Sequence, residues 1–308
     1  MYMRAIENAL IADVIQCEIP FLASVSQLIP RALLQTFSRQ LEQVRLGGAD
    51  GVASVKQRGP SSTQSIFTEM IAECDNEGRS WLTKEAVSME GAGMMVAGTD
   101  TTAAVLTYLI WSVLKQPVLQ QQLEDEIALL GDDFDDKWLE TCPILSAVIE
   151  ETLRLYPAVL SSLPRLVPEG GTKLSSHFVP AGTVVCSPAY SLQRDPKVFP
   201  DPHQYVDLDH SSEKARANSR LSRFDVDRYL HTTKVSLQQR QSYLPLGTGA
   251  RVCIGQYLAM MELRLATAVF FKSCRGAKLD PNMPADSMEM KDYVLLSPKK
   301  KRCNITLI

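Results

Sequence analysis

The 308-residue sequence predicts a mainly helical fold that carries a small β-sheet. Three observations predict it. After Lys84 nothing interrupts a helix until Pro117, and two further helical stretches follow, each opening at a proline. Residues 165–186 then switch to short extended runs with turns at Glu169-Gly170-Gly171 and Pro180-Ala181-Gly182. Helices and strands come in blocks, without the alternation of a doubly wound parallel sheet.

In chain order, residues 1–47 read as helices broken at Pro20 and Pro30, and Gly47 to Thr63, rich in Gly, Ser and charge, reads as a loop. Ser65 to Cys74 is a short amphipathic helix. The long helix over 84–116 takes Thr83 as its N-cap and Glu85 in its first turn. At 1.5 Å per residue it would be on the order of 50 Å long. Gly91, Gly93 and Gly98 sit inside it, each costing about 1 kcal/mol relative to Ala. Something is therefore expected to need close access to the backbone there. Pro117 to Leu130 and Pro143 to Tyr156 are the next helices; residues 187–252 are mostly irregular and proline-bearing. A last helix runs from about Ile254 to Lys272, and the tail returns to short strands.

The composition, 45% apolar and 22% charged, supplies a sizeable core, and a net charge of −3 argues against a general nucleic-acid binder. The basic run Lys299-Lys300-Lys301-Arg302 reads as a solvated turn, with a targeting or phosphate-binding patch as the alternative. Seven cysteines, an odd number without a C-x-x-C pair, and four histidines away from zinc-finger spacings argue against structural zinc. They suit free thiols in a reducing compartment. Arg4, Glu7, Asp13 and Glu18 interrupt the apolar N-terminus, which reads as neither signal peptide nor membrane span. Ala103 to Leu114 is too short to cross a bilayer and reads as a buried helix, so no anchor is expected in this chain.

Chemistry concentrates at Pro245-Leu246-Gly247-Thr248-Gly249-Ala250-Arg251-Val252-Cys253-Ile254-Gly255. Glycines allow tight turns, and a helix begins just after the cysteine, where backbone N–H groups favour a thiolate. Arg251 can pair with an anionic group. From the residues alone this is an activated cysteine, either metal ligand or nucleophile, with a buried cysteine beside a Gly-rich turn as the bland alternative. A cysteine-nucleophile hydrolase lacks a placed base, since His231 and His210 sit in the irregular region. In the long helix, Gly98 leaves room for a ligand, and the Thr101 hydroxyl can bond back to the Ala97 carbonyl, which tends to bend a helix. Glu151 and Arg154, three apart, share one helix face and can pair, a spacing that is usually a surface salt bridge.

These motifs, in this order, resemble those of cytochrome P-450 monooxygenases. The cysteine stretch is similar to the haem loop F-x-x-G-x-R-x-C-x-G at Gly249, Arg251, Cys253 and Gly255, with Leu246 in place of the Phe that tunes the thiolate. Ala97 to Thr102 resembles the oxygen-activation motif [AG]-G-x-[DE]-T-[TS]. Glu151-Thr152-Leu153-Arg154 resembles the structural E-x-x-R, and Phe224 to Tyr229 resembles F-x-P-x-R-W, with Val226 for Pro and Arg228 as the later arginine. Pro164-Arg165 stands where the family contacts a haem propionate. Asp195-Pro196 and Phe199-Pro200-Asp201-Pro202 follow the family order too.

The resemblance implies a cytochrome P-450 fold lacking its N-terminal portion, residues 1–308 being the C-terminal part of one domain. It implies haem with Cys253 as the axial thiolate on iron, and Arg165, Arg251, Gly98, Gly249 and Gly255 as cofactor-binding residues. Thr101 would steady the oxygen bound at the iron and Asp100 would help relay protons. Electrons would come from NADPH through a NADPH–cytochrome P-450 reductase, and one atom of O2 would enter an apolar small molecule in fungal-type secondary-metabolite biosynthesis. Met94-Met95-Val96, Val159 to Leu163 and Tyr293 to Leu295 would line the substrate space. Full-length relatives would work at the cytosolic face of the endoplasmic reticulum; without an anchor this chain would be cytoplasmic. A non-catalytic truncated remnant with impaired haem binding is the alternative. Tyr205 to Arg223 separates two motifs that run together in the family and reads as a translated, retained intron, with a surface-loop insertion as the other explanation.

Overall fold

A computed structural model describes residues 46–55, 57, 65–75, 82–161, 163–199, 224–230 and 235–307. The insert Tyr205–Arg223, the N-terminal helices read over residues 1–45, and His210 and His231 lie outside them. The chain forms two compact units, Met1–Thr101 and Thr102–Ile308.

In the first unit, α1 (Ile66–Cys74) begins at a reciprocal capping box: Ser65 Oγ accepts from the Thr68 N–H and Thr68 Oγ1 accepts from the Ser65 N–H. Next comes α2 (Lys84–Leu114), which runs on into the second unit. Thr83 caps it as predicted, its Oγ1 accepting the Ala86 N–H at 3.1 Å. Its 31 residues make a rod of about 47 Å.

Residues 46–55 are helical, where glycine content predicted a loop. Gly48 explains the reversal. A Cβ there would lie 2.5 Å from the Ala92 nitrogen and 2.7 Å from the Ser88 carbonyl oxygen, so this helix touches α2 backbone to backbone. Gly91 answers from α2, where a Cβ would stand 3.3 Å from the Gly48 carbonyl. Here glycine serves close approach rather than turning. A Cβ at Gly93 or Gly98 would meet no atom within 4 Å, so of the three α2 glycines only Gly91 is fixed by a neighbouring backbone.

The second unit is built around α3 (Pro117–Ala128), α4 (Asp136–Leu139), α5 (Pro143–Leu155) and α9 (Gln256–Ser273), packed on the C-terminal part of α2. Prolines open α3 and α5 at positions whose N–H would be unpaired anyway. Glu126 caps α5 from a distance, its two carboxylate oxygens accepting the N–H groups of Ile144 and Leu145 at 2.8 Å each. Burial pushes the Glu126 carboxyl up, and those two N–H groups oppose the shift. Leu109, Val113, Leu123, Ile127, Leu145 and Ile149 fill the space between helices. A second cluster is aromatic. Tyr108 and Tyr156 stack at 4.4 Å with Trp111 edge-on to both, beside Leu160 and Leu296.

The single small sheet of the sequence reading is, among the described residues, four two-stranded antiparallel sheets. They pair β1 (Arg165–Leu166) with β4 (Val184–Val185), β2 (Thr172–Leu174) with β3 (His177–Val179), β5 (Lys278–Leu279) with β8 (Ile305–Thr306), and β6 (Met290–Tyr293) with β7 (Leu295–Pro298). No strand exceeds four residues, so each finds one neighbour. The predicted turns are present, with Gly170, Gly171 and Gly182 at positive φ. Among the described residues, the stretch predicted to be irregular contains three short helices, α6 (Ala189–Leu192), α7 (Asp227–Leu230) and α8 (Leu237–Ser242). Among the described residues no single helix is long and apolar enough to cross a membrane.

The helix that follows the cysteine is fixed along its length. Arg264 on α9 grips Asp136 with two 2.6 Å hydrogen bonds and reaches Glu140 at 3.1 Å. Lys272 donates to the Gly131 carbonyl at 2.6 Å and pairs with Asp132. The hydrogen bond from Arg264 holds the Asp136 carboxyl below its ordinary 3.8.

Two outcomes are expected. Gly48→Ala forces the two helices apart and destabilises the first unit by about 1–3 kcal/mol in urea unfolding; an unchanged midpoint would refute the backbone contact. Arg264→Gln costs about 0.5–1 kcal/mol near neutral pH. Because the Asp136 pKa is depressed in the folded state, this contribution is complete above pH 3.8 and fades as pH falls through the lowered value. Unfolding curves of both proteins across a pH series should therefore converge in acid.

Candidate functional site

Cys253 ends a closed loop. The Gly247 N–H donates to the Leu244 carbonyl at 3.1 Å, and the Cys253 N–H donates across the loop to the Leu246 carbonyl at 2.9 Å. Between them Gly249–Arg251 form one 3₁₀ turn, closed by Val252 N–H to the Gly249 carbonyl at 3.1 Å. Gly247 and Gly249 have φ of 73° and 68°, values that favour glycine. α9 starts at once: Gln256 N–H bonds the Cys253 carbonyl at 3.3 Å, and Gly255 is the N-cap.

Cys253 and Arg251 are exposed, as is Arg165 on β1, whose Nη1 donates to the Pro164 carbonyl at 2.9 Å. The surface beside the sulfur is apolar, with Ile254 and Tyr257 90% and 81% exposed and Val252 and Leu258 also open. A Cβ at Gly255 would come within 4.0 Å of Sγ, and one at Gly249 would meet nothing. Among the described residues no group of three His, Cys, Asp or Glu side chains is arranged to hold a metal ion. Cys253 can thus serve as a single protein ligand to a metal whose other ligands come with it. An open thiol, glycines on either side of it in the chain, exposed apolar neighbours and exposed arginines fit a haem.

Behind the loop lies an ion pair without solvent. Glu151 and Arg154, both fully buried, meet in two hydrogen bonds, Nε to Oε2 at 2.7 Å and Nη2 to Oε1 at 2.8 Å. The pair is interior, unlike the surface salt bridge its spacing usually makes. Asp225 N–H donates to Glu151 Oε1 at 2.8 Å, and Arg228 Nε stands 3.7 Å from the same oxygen. Burial pushes the Glu151 carboxyl up, opposed by Arg154, Asp225 and Arg228. Burial likewise opposes the charge on Arg154, but the hydrogen bond and charge of Glu151 prevail and raise its pKa above the ordinary guanidinium value.

Two residues that sequence reasoning missed complete this region. Gln193 is fully buried; its Nε2 donates to the carbonyls of Leu153 at 3.2 Å and Arg154 at 2.9 Å, and its Oε1 accepts the Leu244 N–H at 2.7 Å. The Gln193 carbonyl accepts from Arg154 Nη1 at 2.8 Å. Arg194 lies over the Tyr190 ring at 4.0 Å and donates to the Leu155 carbonyl; burial pushes its pKa down to about 10. The carbonyls that α5 leaves open at its C-terminus therefore go to these two side chains and to the Tyr156 N–H. The only sequence signal nearby was Asp195-Pro196, and nothing in it marks a buried glutamine.

The other expected residues lie on α2 in the first unit. Thr101 Oγ1 donates to the Ala97 carbonyl at 2.6 Å, the back-bond foreseen, and Thr99 does the same to Met95. Gly98 is exposed and Asp100 half-buried. Of the segments expected to line substrate, two adjoin in the second unit: the Leu296 N–H next to Tyr293–Leu295 donates to the Ala158 carbonyl at 2.8 Å, and Leu160 packs in the same cluster as Leu296. Val294, at the tip of that hairpin, has φ of 83°, a strained value for a β-branched residue.

Residues 32–304 match the sequence profile of the family described as cytochrome P-450. Curated relatives include the cytochrome P-450 monooxygenase tazI of Aspergillus terreus, 36% identical over 99% of this chain and 59% of the relative. The cytochrome P-450 monooxygenase aflV of Aspergillus parasiticus is 35% identical over 96% of this chain and 56% of its own length. For stcB of Emericella nidulans the figures are 33%, 89% and 49%. The chain thus spans about half to three-fifths of the length of these relatives.

The buried pair yields an ordering. Arg154→Met strands Glu151 in the interior and costs about 3–5 kcal/mol. Arg228→Met removes longer contacts, 3.7 Å to Glu151 and 3.8 Å to Asp225, and costs roughly 1 kcal/mol. Urea unfolding of the two variants checks this, and equal losses would contradict it.

Proposed function

The chain belongs to the cytochrome P-450 family, and from that premise we propose that it serves a haem-dependent monooxygenase inserting one oxygen atom of O2 into an apolar small molecule of secondary metabolism. Electrons come from NADPH through a partner reductase. The observation that carries the reading is the Cys253 loop: an exposed thiol, its own backbone pinned to Leu246, at the mouth of an 18-residue helix. Haem held there supplies dioxygen activation, the thiolate's electron donation favouring O–O cleavage.

The chain's own residues do the rest. The positive end of the α9 dipole follows Cys253 directly in the chain. Arg165 and Arg251 would balance the carboxylates of the cofactor, and Gly249 and Gly255 would leave room for it. On α2, Gly98 leaves the helix surface open. Thr101 Oγ1 donates its hydrogen bond to the Ala97 carbonyl, which leaves its lone pairs to accept a hydrogen bond from a water. Asp100, in the same turn, hands protons inward. In the second unit Val159, Leu160, Val294 and Leu295 offer the substrate apolar contacts.

The test is the reduced, CO-bound absorption spectrum of the purified chain after haem supplementation, beside Cys253→Ser. A thiolate-type Soret band in the wild type, lost in the variant, is expected. A band that survives the substitution would overturn Cys253 as ligand; none in the wild type would favour a non-catalytic chain.

A further inference from the structure

We propose that Gln193 is the positioning residue of the Cys253 loop, the side chain through which α5 sets where the cysteine stands. The inference takes its functional meaning from the reading of Cys253 as haem ligand. Its geometry is independent of that reading.

Gln193 faces carbonyls of Leu153 and Arg154 on one side and the N–H of Leu244 on the other, so only one orientation of its amide satisfies all three. It is fully buried, so no bulk water replaces a lost bond. Leu244 is where the loop begins: its carbonyl takes the Gly247 N–H, and two residues on, the Leu246 carbonyl takes the Cys253 N–H. The route from the end of α5 to the sulfur is therefore one amide and one turn. Tyr243 gives a weaker tether to the same helix, its hydroxyl 3.4 Å from the Glu150 carbonyl. Leucine matches glutamine in bulk without its polar atoms. Glutamate keeps the acceptor but loses both donors, and asparagine is one methylene short.

Hydrogen exchange and spectroscopy on the haem-supplemented full chain test the proposal, with Gln193→Leu against Leu123→Ala, a core truncation on α3 away from the loop. A lost buried hydrogen bond should speed amide exchange over residues 245–253 by about tenfold or more in Gln193→Leu. Leu123→Ala should lower Tm without that local change. The thiolate-type CO band should give way to a shorter-wavelength band in Gln193→Leu only. Gln193→Asn, which keeps the amide, should fall between and serves if the leucine variant does not fold. Loop exchange in Gln193→Leu or Gln193→Asn equal to that in Leu123→Ala would overturn the proposal. If the wild type itself gives no thiolate-type band, the haem reading fails while the exchange comparison still decides the role of Gln193.

Discussion

Two ions without water govern the second unit. Removing a carboxylate and a guanidinium from solvent costs several kcal/mol per ion, and the pair is tolerable only if its remaining polar atoms are met from within. Glu151 and Arg154 cannot meet that condition on α5 alone. The Asp225 N–H, Arg228 and the Gln193 carbonyl supply what is missing, each from a segment outside α5. The placement of the irregular region is thus a consequence of the electrostatics of one helical turn. The pull is reciprocal, since the hydrogen bond and charge of Glu151 raise the Arg154 pKa against the burial that lowers it.

The same helix end shows how a local shape and its location are separated. Gly247 and Gly249 bend the cysteine loop by themselves, and the bond from Cys253 to Leu246 closes it. Nothing in those residues says where in the molecule the loop should lie. Location comes from Gln193 behind it and from α9 ahead of it, the latter held by Arg264 and Lys272. A short sequence carries the chemistry, and a long-range frame of ordinary side chains aims it.

That division also explains what could be read from the sequence. Capping and proline signals are local, so α1, α2, α3 and α5 fall where Ser65, Thr83, Pro117 and Pro143 put them. Turn glycines at 170, 171 and 182 are local as well. Gly48 misled because composition does not distinguish a glycine that bends from one that lets another backbone come close. The cysteine loop was legible as a contiguous pattern, as was the Thr101 back-bond to Ala97. The depth of Glu151 and Arg154 was not, since three-residue spacing is the same on a wet face and a dry one. Gln193 was invisible for a stronger reason: its partners lie 39, 40 and 51 residues away.

The distance between Glu151 and its partners carries a cost in time. Asp225 follows Glu151 by 74 residues, and a ribosome adding 5–20 residues per second needs roughly 4–15 s to make that stretch. Throughout that interval α2 and α3 are already there to cover the apolar face of the nascent helix, but its charged pair still lacks the Asp225 N–H and Arg228. The ion pair can therefore leave water only after residues 225–228 have been made, so the order of synthesis sets the order in which this helix end is completed.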